Sequence, residues 1–150
     1  MPIALMLEDE AERLVRFRAV AARLGCELVC WPNAHRMIAE MGERLAEAAF
    51  ISLDHDLEPE DATDPGDGLD VAKHLAGLSP TCPVIVHTSN SARGDSMMGE
   101  FELAGWRRHR VLPIGDDWIE VDWAWHARNL LRRAKRVRRT TDKPSALPGD

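Results

Sequence analysis

Short apolar runs alternate with helical patterns along this chain, and the alternation restricts its fold more than any other feature. Ile3–Leu7 is a continuous apolar run, as expected for a strand buried on both faces. Apolar residues at helical spacing follow, and Gly25 marks the end of that helix. Four further strand–helix pairs have their strands in "CELVCW", "AFISLDHD", "PVIVHT" and "HRVLPIG". Five such pairs predict an α/β fold, (βα)5, in which helices cover both faces of a five-stranded parallel sheet.

The 150 residues fit one domain, predicted at residues 1–139, followed by a disordered tail at residues 140–150. The last helix is predicted from residue 122 to 138, with Trp118, Trp123 and Trp125 packing its start onto the sheet. No apolar run approaches the roughly 18 residues of a membrane span, and the acidic N-terminus lacks the features of a secretory signal. We therefore expect a cytoplasmic protein with reduced cysteines and no membrane contact.

Charge is distributed unevenly along the chain. Residues 1–105 contain 8 Lys and Arg against 19 Asp and Glu, whereas residues 106–139 contain 10 against 4. A basic helix at residues 128–139 on an acidic body predicts contact with a polyanion. The alternative is a solvated helix end whose cations are favoured by the helix dipole.

Polar side chains follow three of the predicted strands, at the edge where open parallel sheets form their binding crevices. They are Glu8 and Asp9 after strand one, Asp54, His55 and Asp56 after strand three, and His87, Thr88, Ser89 and Asn90 after strand four. Burying unpaired carboxylates is costly, so a group of them needs a compensating partner. Three or four neighbouring carboxylates suit a divalent cation with oxygen ligands, Mg²⁺ or alternatively Mn²⁺.

Several of these residues also have purely structural interpretations. Asp9 could cap the first helix, and Thr88 or Ser89 could cap the fourth. Asp56 could start the loop and face solvent. His55 alternates with its neighbours along the strand and could point away from them.

The order "LEDE", "FISLDHDLEP", "GLDVAKHL" and "PVIVHTSN" resembles the receiver domain of two-component response regulators, over residues 3 to about 138. The resemblance implies a CheY-like, flavodoxin-like three-layer sandwich with strand order 2-1-3-4-5. It also implies that Glu8 and Asp9 are the acidic pair of that family, that Asp54 is its phosphoacceptor and that Thr88 is its hydroxyl residue after strand four.

Two motifs and one absence separate this chain from ordinary receivers. Receivers have a lysine at the end of strand five, where this chain reads "VLPIGDDW". "LDHDL" and "HTSN" are similar to the signature of an offshoot, the cyclic-phosphate processing receiver domain. That resemblance implies metal-assisted phosphoester hydrolysis, with a cyclic phosphate on a nucleotide or nucleic-acid end as the partner.

Roles for the individual side chains follow from this hypothesis. Imidazoles suit general acid and base catalysis near neutral pH. We expect Glu8, Asp9, Asp54 and Asp56 to bind the cation, Asp54, His55, His87 and Asn90 to act in catalysis, and Thr88, Ser89 and Arg93 to bind phosphate. The alternative function is that of a divergent response-regulator receiver or pseudo-receiver, which acts in signal transduction with Asp54 as phosphoacceptor.

Overall fold

The structure is a computed structural model that describes residues 1–141 of the chain, and within them it has five strands and five α-helices. The strands are β1 Ile3–Leu7, β2 Glu27–Trp31, β3 Ala48–Leu53, β4 Val84–Val86 and β5 Arg108–Arg110. The helices are α1 Ala11–Arg23, α2 Ala34–Glu40, α3 Gly68–Ala76, α4 Ser91–Leu103 and α5 Ala124–Thr141. All strand pairs are parallel and their order is β2-β1-β3-β4-β5. The predicted fold and strand order are therefore confirmed.

Strand β1 lies between β2 and β3, and both of its faces are covered. Successive side chains of a strand point to opposite faces. Ile3, Leu5 and Leu7 join one apolar cluster, and Ala4 and Met6 join the other. Because both faces need apolar residues, the run is continuous rather than alternating.

The two clusters form the layers between the sheet and its helices. On one side, α2, α3 and α4 contribute Met37, Val71, Leu75, Met97 and Phe101. On the other side, α1 and α5 contribute Phe17, Val20, Ala127 and Leu130, with Trp118 and Trp123 from the connection before α5. Tight packing on both faces fixes the ends of the strands, and this rigidity positions the loops at the carboxyl edge.

Two predicted details, the position of β5 and the packing of Trp125, differ from the structure. Strand β5 is the charged segment Arg108–Arg110, one residue ahead of the predicted "HRVLPIG", because an edge strand is only half-buried and tolerates polar side chains. Trp125 is 60% exposed, because it lies two residues from the buried Trp123 and so on a different face of the helix. The predicted packing of Trp125 onto the sheet is therefore wrong.

The C-terminal region is helical further along than predicted. A π-helical turn at Ile119–Trp123 precedes α5, which continues through Thr140 and Thr141. Those two residues do not belong to a disordered tail, and the rest of the predicted tail lies outside the described residues. No helix within residues 1–141 is both long and apolar enough to span a membrane.

Candidate functional site at the carboxyl edge of the sheet

Backbone hydrogen bonds carry the sheet one residue past β1, β3 and β4, and so fix the first polar residue after each strand. The amides of Glu8, Asp54 and His87 donate to the last carbonyls of β2, β1 and β3 at 3.0, 3.0 and 2.9 Å. All three side chains are buried. The predicted convergence of these three segments is therefore present at one edge.

Three carboxylates meet at this edge. Glu8, Asp9 and Asp54 each offer an oxygen, and the three oxygens lie within 4.8 Å of one another. Glu8 is fully buried, and its Oε2 atom has no hydrogen-bond partner. Asp56, the predicted fourth ligand, does not join this group, because its carboxylate turns toward His55 and Asn90 instead.

Burial makes the negative charge in this group unfavourable. Burial raises the pKa of Asp54 to about 7, and it also raises the pKa of Glu8 above its ordinary value. The neighbouring Glu8 carboxylate adds to the rise in the pKa of Asp54. A cation bound in this pocket would offset the unfavourable negative charge.

Arg13 supplies a positive charge that the sequence analysis missed. Its Nη1 atom lies 3.3 Å from Glu8 Oε1 and 3.6 Å from Asp54 Oδ2, and its Nε atom lies 3.2 Å from Glu10 Oε2. The guanidinium also lies 5.2 Å from the centroid of the Trp118 ring. On the sequence, Arg13 is one of several arginines on an amphipathic helix, and nothing in the pattern separates it from a solvated one.

Asp9 does not cap the first helix, which was the structural alternative considered for it. Glu10 is the residue before α1, and no side chain caps that helix. Asp9 Oδ2 instead accepts a hydrogen bond of 2.6 Å from the amide of Glu58. Asp9 therefore ties the loop after β3 to the carboxylate group, and the helix-cap interpretation is wrong.

His87 lies behind Glu8, inside the protein. Its ring is fully buried between Phe17 and Trp118, with centroid distances of 5.1 and 6.1 Å. Its Nε2 atom is 3.9 Å from Glu8 Oε2. Burial lowers the pKa of His87 to about 4, so the ring is neutral at pH 7.

A buried hydroxyl sets the tautomer of this neutral imidazole. Trp123 Nε1 donates to Ser52 Oγ at 3.0 Å, and Ser52 Oγ lies 2.7 Å from His87 Nδ1. Since the hydroxyl accepts the indole proton, its own proton is free to point at Nδ1. That arrangement places the ring proton on Nε2, on the side of Glu8.

His55 is the second buried imidazole, and it too lies beside a carboxylate. Its Nδ1 atom is 2.8 Å from Asp56 Oδ1, and its Nε2 atom is 3.6 Å from Asp67 Oδ2 without a hydrogen bond. The Asp56 side chain is 66% exposed, whereas that of His55 is only 7% exposed. The expectation that His55 could point away from both neighbouring aspartates is thus wrong for Asp56.

Helix α3 packs directly against the end of β3. The Gly68 amide donates to the His55 carbonyl at 3.0 Å, and a Cβ at Gly68 would collide with the Asp54 carbonyl oxygen. Asp67 and Asp70 form a reciprocal capping box at the start of the helix. The "GLD" segment is therefore needed for close approach of α3 to the site.

The segment after β4 holds the remaining predicted residues. Asn90, not Thr88 or Ser89, caps α4, with its Oδ1 accepting from the Arg93 amide at 3.1 Å. Thr88 is buried, and its hydroxyl accepts from the Asn90 amide at 3.2 Å, while Ser89 and Arg93 are exposed. Asn90 Nδ2 lies 3.4 Å from both oxygens of Asp56.

Arg110 is a second cation that the sequence analysis missed. It ends β5, where receivers were expected to have a lysine, and its Nη2 atom donates to the Thr88 carbonyl at 2.9 Å. Its guanidinium occupies the space that a side chain at position 94 would fill. Because Gly94 has no side chain, the Arg110 side chain can extend across α4 and hydrogen-bond to the segment after β4.

Comparison with solved structures places this fold among receiver domains. A signal receiver domain from Vibrio parahaemolyticus is 19% identical with a TM-score of 0.64, covering 95% of this chain and 98% of that one. A response regulator receiver domain from Clostridium thermocellum is 15% identical with a TM-score of 0.65, covering 91% and 99%. A two-component response regulator from Clostridium difficile is 14% identical with a TM-score of 0.62, covering 89% and 98%.

Comparison by sequence is more specific. No curated protein sequence matches this chain with significance. Residues 3–102, two thirds of the chain, match the profile of the cyclic-phosphate processing receiver domain. That span includes the carboxylates after β1 and β3 and both buried imidazoles. The chain therefore belongs to the cyclic-phosphate processing receiver domain family.

Proposed function

We propose that this protein binds one divalent cation at Glu8, Asp9 and Asp54 and processes a cyclic phosphate on a nucleotide or nucleic-acid end. The proposal rests on one observation, the group of three converging carboxylates in which a buried Glu8 oxygen has no partner. Mg²⁺ and Mn²⁺ prefer oxygen ligands of this kind. When bound, the cation would offset negative charge on the phosphate oxygens.

Solvent-facing side chains next to the carboxylates would bind the rest of the substrate. Ser89 and Arg93 are exposed at the start of α4, where a hydroxyl and a guanidinium can bind phosphate oxygens. Thr88 keeps one hydroxyl proton to donate, although it is buried. Asn90 would orient the ester through its Nδ2 group, because its Oδ1 atom is committed to the helix cap.

Burial decides which groups can exchange protons with the substrate. Asp56 is exposed and is held by His55 and Asn90, so it is the general base of this proposal. It takes a proton from the water that attacks phosphorus, one ribose oxygen leaves, and that oxygen takes a proton from solvent. His55 positions Asp56 through their hydrogen bond, and His87 packs beside Glu8 without a hydrogen bond to it.

The test is the opening of 2′,3′-cyclic nucleotides by purified protein, followed by ³¹P NMR. We expect ring opening that requires Mg²⁺ or Mn²⁺ and is lost in Asp54→Asn. Asp117→Asn, the same change at an exposed carboxylate, serves as the matched control. Absence of turnover on both cyclic nucleotides and oligonucleotides with cyclic phosphate ends would contradict the proposal.

A second candidate function is phosphorylation of Asp54. The central position of Asp54 between Glu8, Asp9 and Thr88 favours it. Incubation with acetyl phosphate and Mg²⁺ would then add one phosphoryl group, detected by intact mass and lost in Asp54→Asn. Phosphoryl transfer without turnover of any cyclic phosphate would favour this switch function over the enzyme.

A further inference from the structure

A basic groove lies at the opposite, amino edge of the sheet. Its volume is about 510 Å³, and its walls include Pro2 before β1, Gly25 before β2 and one side of α5. Five side chains in these walls are cationic and none is a carboxylate, in a chain whose net charge is −6. The cations, here called the groove cations, are Arg23, Arg128, Arg132, Lys135 and Arg138.

Four of the groove cations form a stripe along α5. Residues three or four apart lie on one face of a helix, so Arg128, Arg132, Lys135 and Arg138 follow one another along it. With a rise of 1.5 Å per residue, the stripe is roughly 15 Å long. Arg23, at the end of α1, faces it from the other wall of the groove.

The stripe is unfavourable for the isolated helix. Like charges at these spacings destabilise a helix, and within residues 1–141 none of the groove cations forms an ion pair. Helix-dipole stabilisation is confined to the last turn, and Arg128 and Arg132 belong to the first half of α5. The dipole therefore does not account for the stripe, and an external anion would.

We propose that this groove binds the phosphate backbone of a single-stranded nucleic acid. A regular row of cations, about one per 5.4 Å turn, matches a polymer with a charge on every unit, and four of the five are arginines, which suit phosphate. The apolar side chains that line the groove, among them Leu24, Leu131 and Ala134, include no aromatic ring for base stacking. Recognition is therefore electrostatic and independent of sequence. Because the groove and the carboxylates lie at opposite edges of the sheet, this inference does not depend on the proposed function.

The test is fluorescence anisotropy with a labelled single-stranded RNA of about 12 nucleotides that ends in a 3′-hydroxyl. EDTA in the buffer removes any cation from the carboxylate group. Five phosphate contacts give a salt slope near −3.5, so the affinity should fall about 100-fold between roughly 50 and 200 mM salt. Arg132→Glu with Lys135→Glu should weaken binding at least about tenfold. Lys73→Glu, a single charge reversal at an exposed position of α3, should leave binding unchanged.

Arg23→Glu tests whether the RNA contacts both walls of the groove or α5 alone. We expect weaker binding in this variant, because Arg23 belongs to the wall formed by α1. Melting curves identify any variant that has lost its fold. Equal binding by all variants, no binding at low salt, or equally tight binding of polyglutamate or anionic vesicles would overturn the assignment to nucleic acid.

Discussion

Replacing Asp54 with Asn should stabilise the metal-free protein at alkaline pH. The folded pKa of Asp54, about 7, is above its ordinary value of 3.8. This group therefore contributes most stability below pH 3.8 and loses it as the pH rises through 7. A shift of about 3 pKa units corresponds to about 4 kcal/mol of unfavourable charge burial near pH 8.

One neighbour reduces the expected gain. Loss of the Asp54 charge removes the favourable contact with Arg13. We therefore expect Asp54→Asn to raise the free energy of unfolding by about 2–4 kcal/mol near pH 8 and by little near pH 4. Asn conserves the shape, and its Oδ1 atom can still accept from the His55 amide.

Urea unfolding in EDTA at both pH values measures this difference. Asp117→Asn, an exposed carboxylate, should change the free energy of unfolding at neither pH. Burial lowers the pKa of His87 to about 4, so this ring is neutral in both proteins near pH 8, where the gain is expected. A variant no more stable than the wild type near pH 8 would refute the claim that Asp54 is buried at an electrostatic cost.

Three further substitutions test other parts of the site. Gly68→Ala should lower the free energy of unfolding by about 1–3 kcal/mol in urea denaturation, because its Cβ would collide with the Asp54 carbonyl. Gly99→Ala should raise the free energy of unfolding, because position 99 has open space around it. Equal effects of the two substitutions would contradict the close packing of α3 against Asp54. Arg13→Gln should tighten Mn²⁺ binding about tenfold in calorimetry, because it removes a competing cation, and weaker binding would show that Arg13 assists the metal. Ser52→Ala should destabilise by about 1–3 kcal/mol and let ¹⁵N NMR detect both His87 tautomers, while an unchanged tautomer would exclude control by the hydroxyl.

The fold was predictable because its pattern is repeated. Buried parallel strands are continuous apolar runs, and the helices between them have clear periodicity, so element order and topology followed from the sequence. Strand β5 was placed one residue late because "VLPI" resembles a buried strand more than Arg108–Arg110 does. An edge strand is stabilised by its hydrogen bonds to β4, which no local pattern reveals.

The location of the site was also predictable, but the orientation of its side chains was not. The ends of β1, β3 and β4 had to meet at one edge, and Glu8, Asp9 and Asp54 do meet there. Whether an imidazole faces substrate or core depends on tertiary packing, which buries His87 behind Glu8. Arg13 and Arg110 escaped notice because an arginine that reaches into a site has the same local pattern as a solvated one.

The central claim is that the three carboxylates bind a divalent cation, and titration calorimetry with Mg²⁺ and Mn²⁺ tests it most directly. Burial raises the pKa of Asp54 to about 7, so near pH 6.5 this carboxyl group carries a proton that a bound cation must displace. Measurements in buffers of different ionisation enthalpy should therefore show one cation bound per chain with release of protons, and Asp54→Asn should abolish the binding. Absence of binding, or binding that Asp54→Asn leaves intact, would contradict the account.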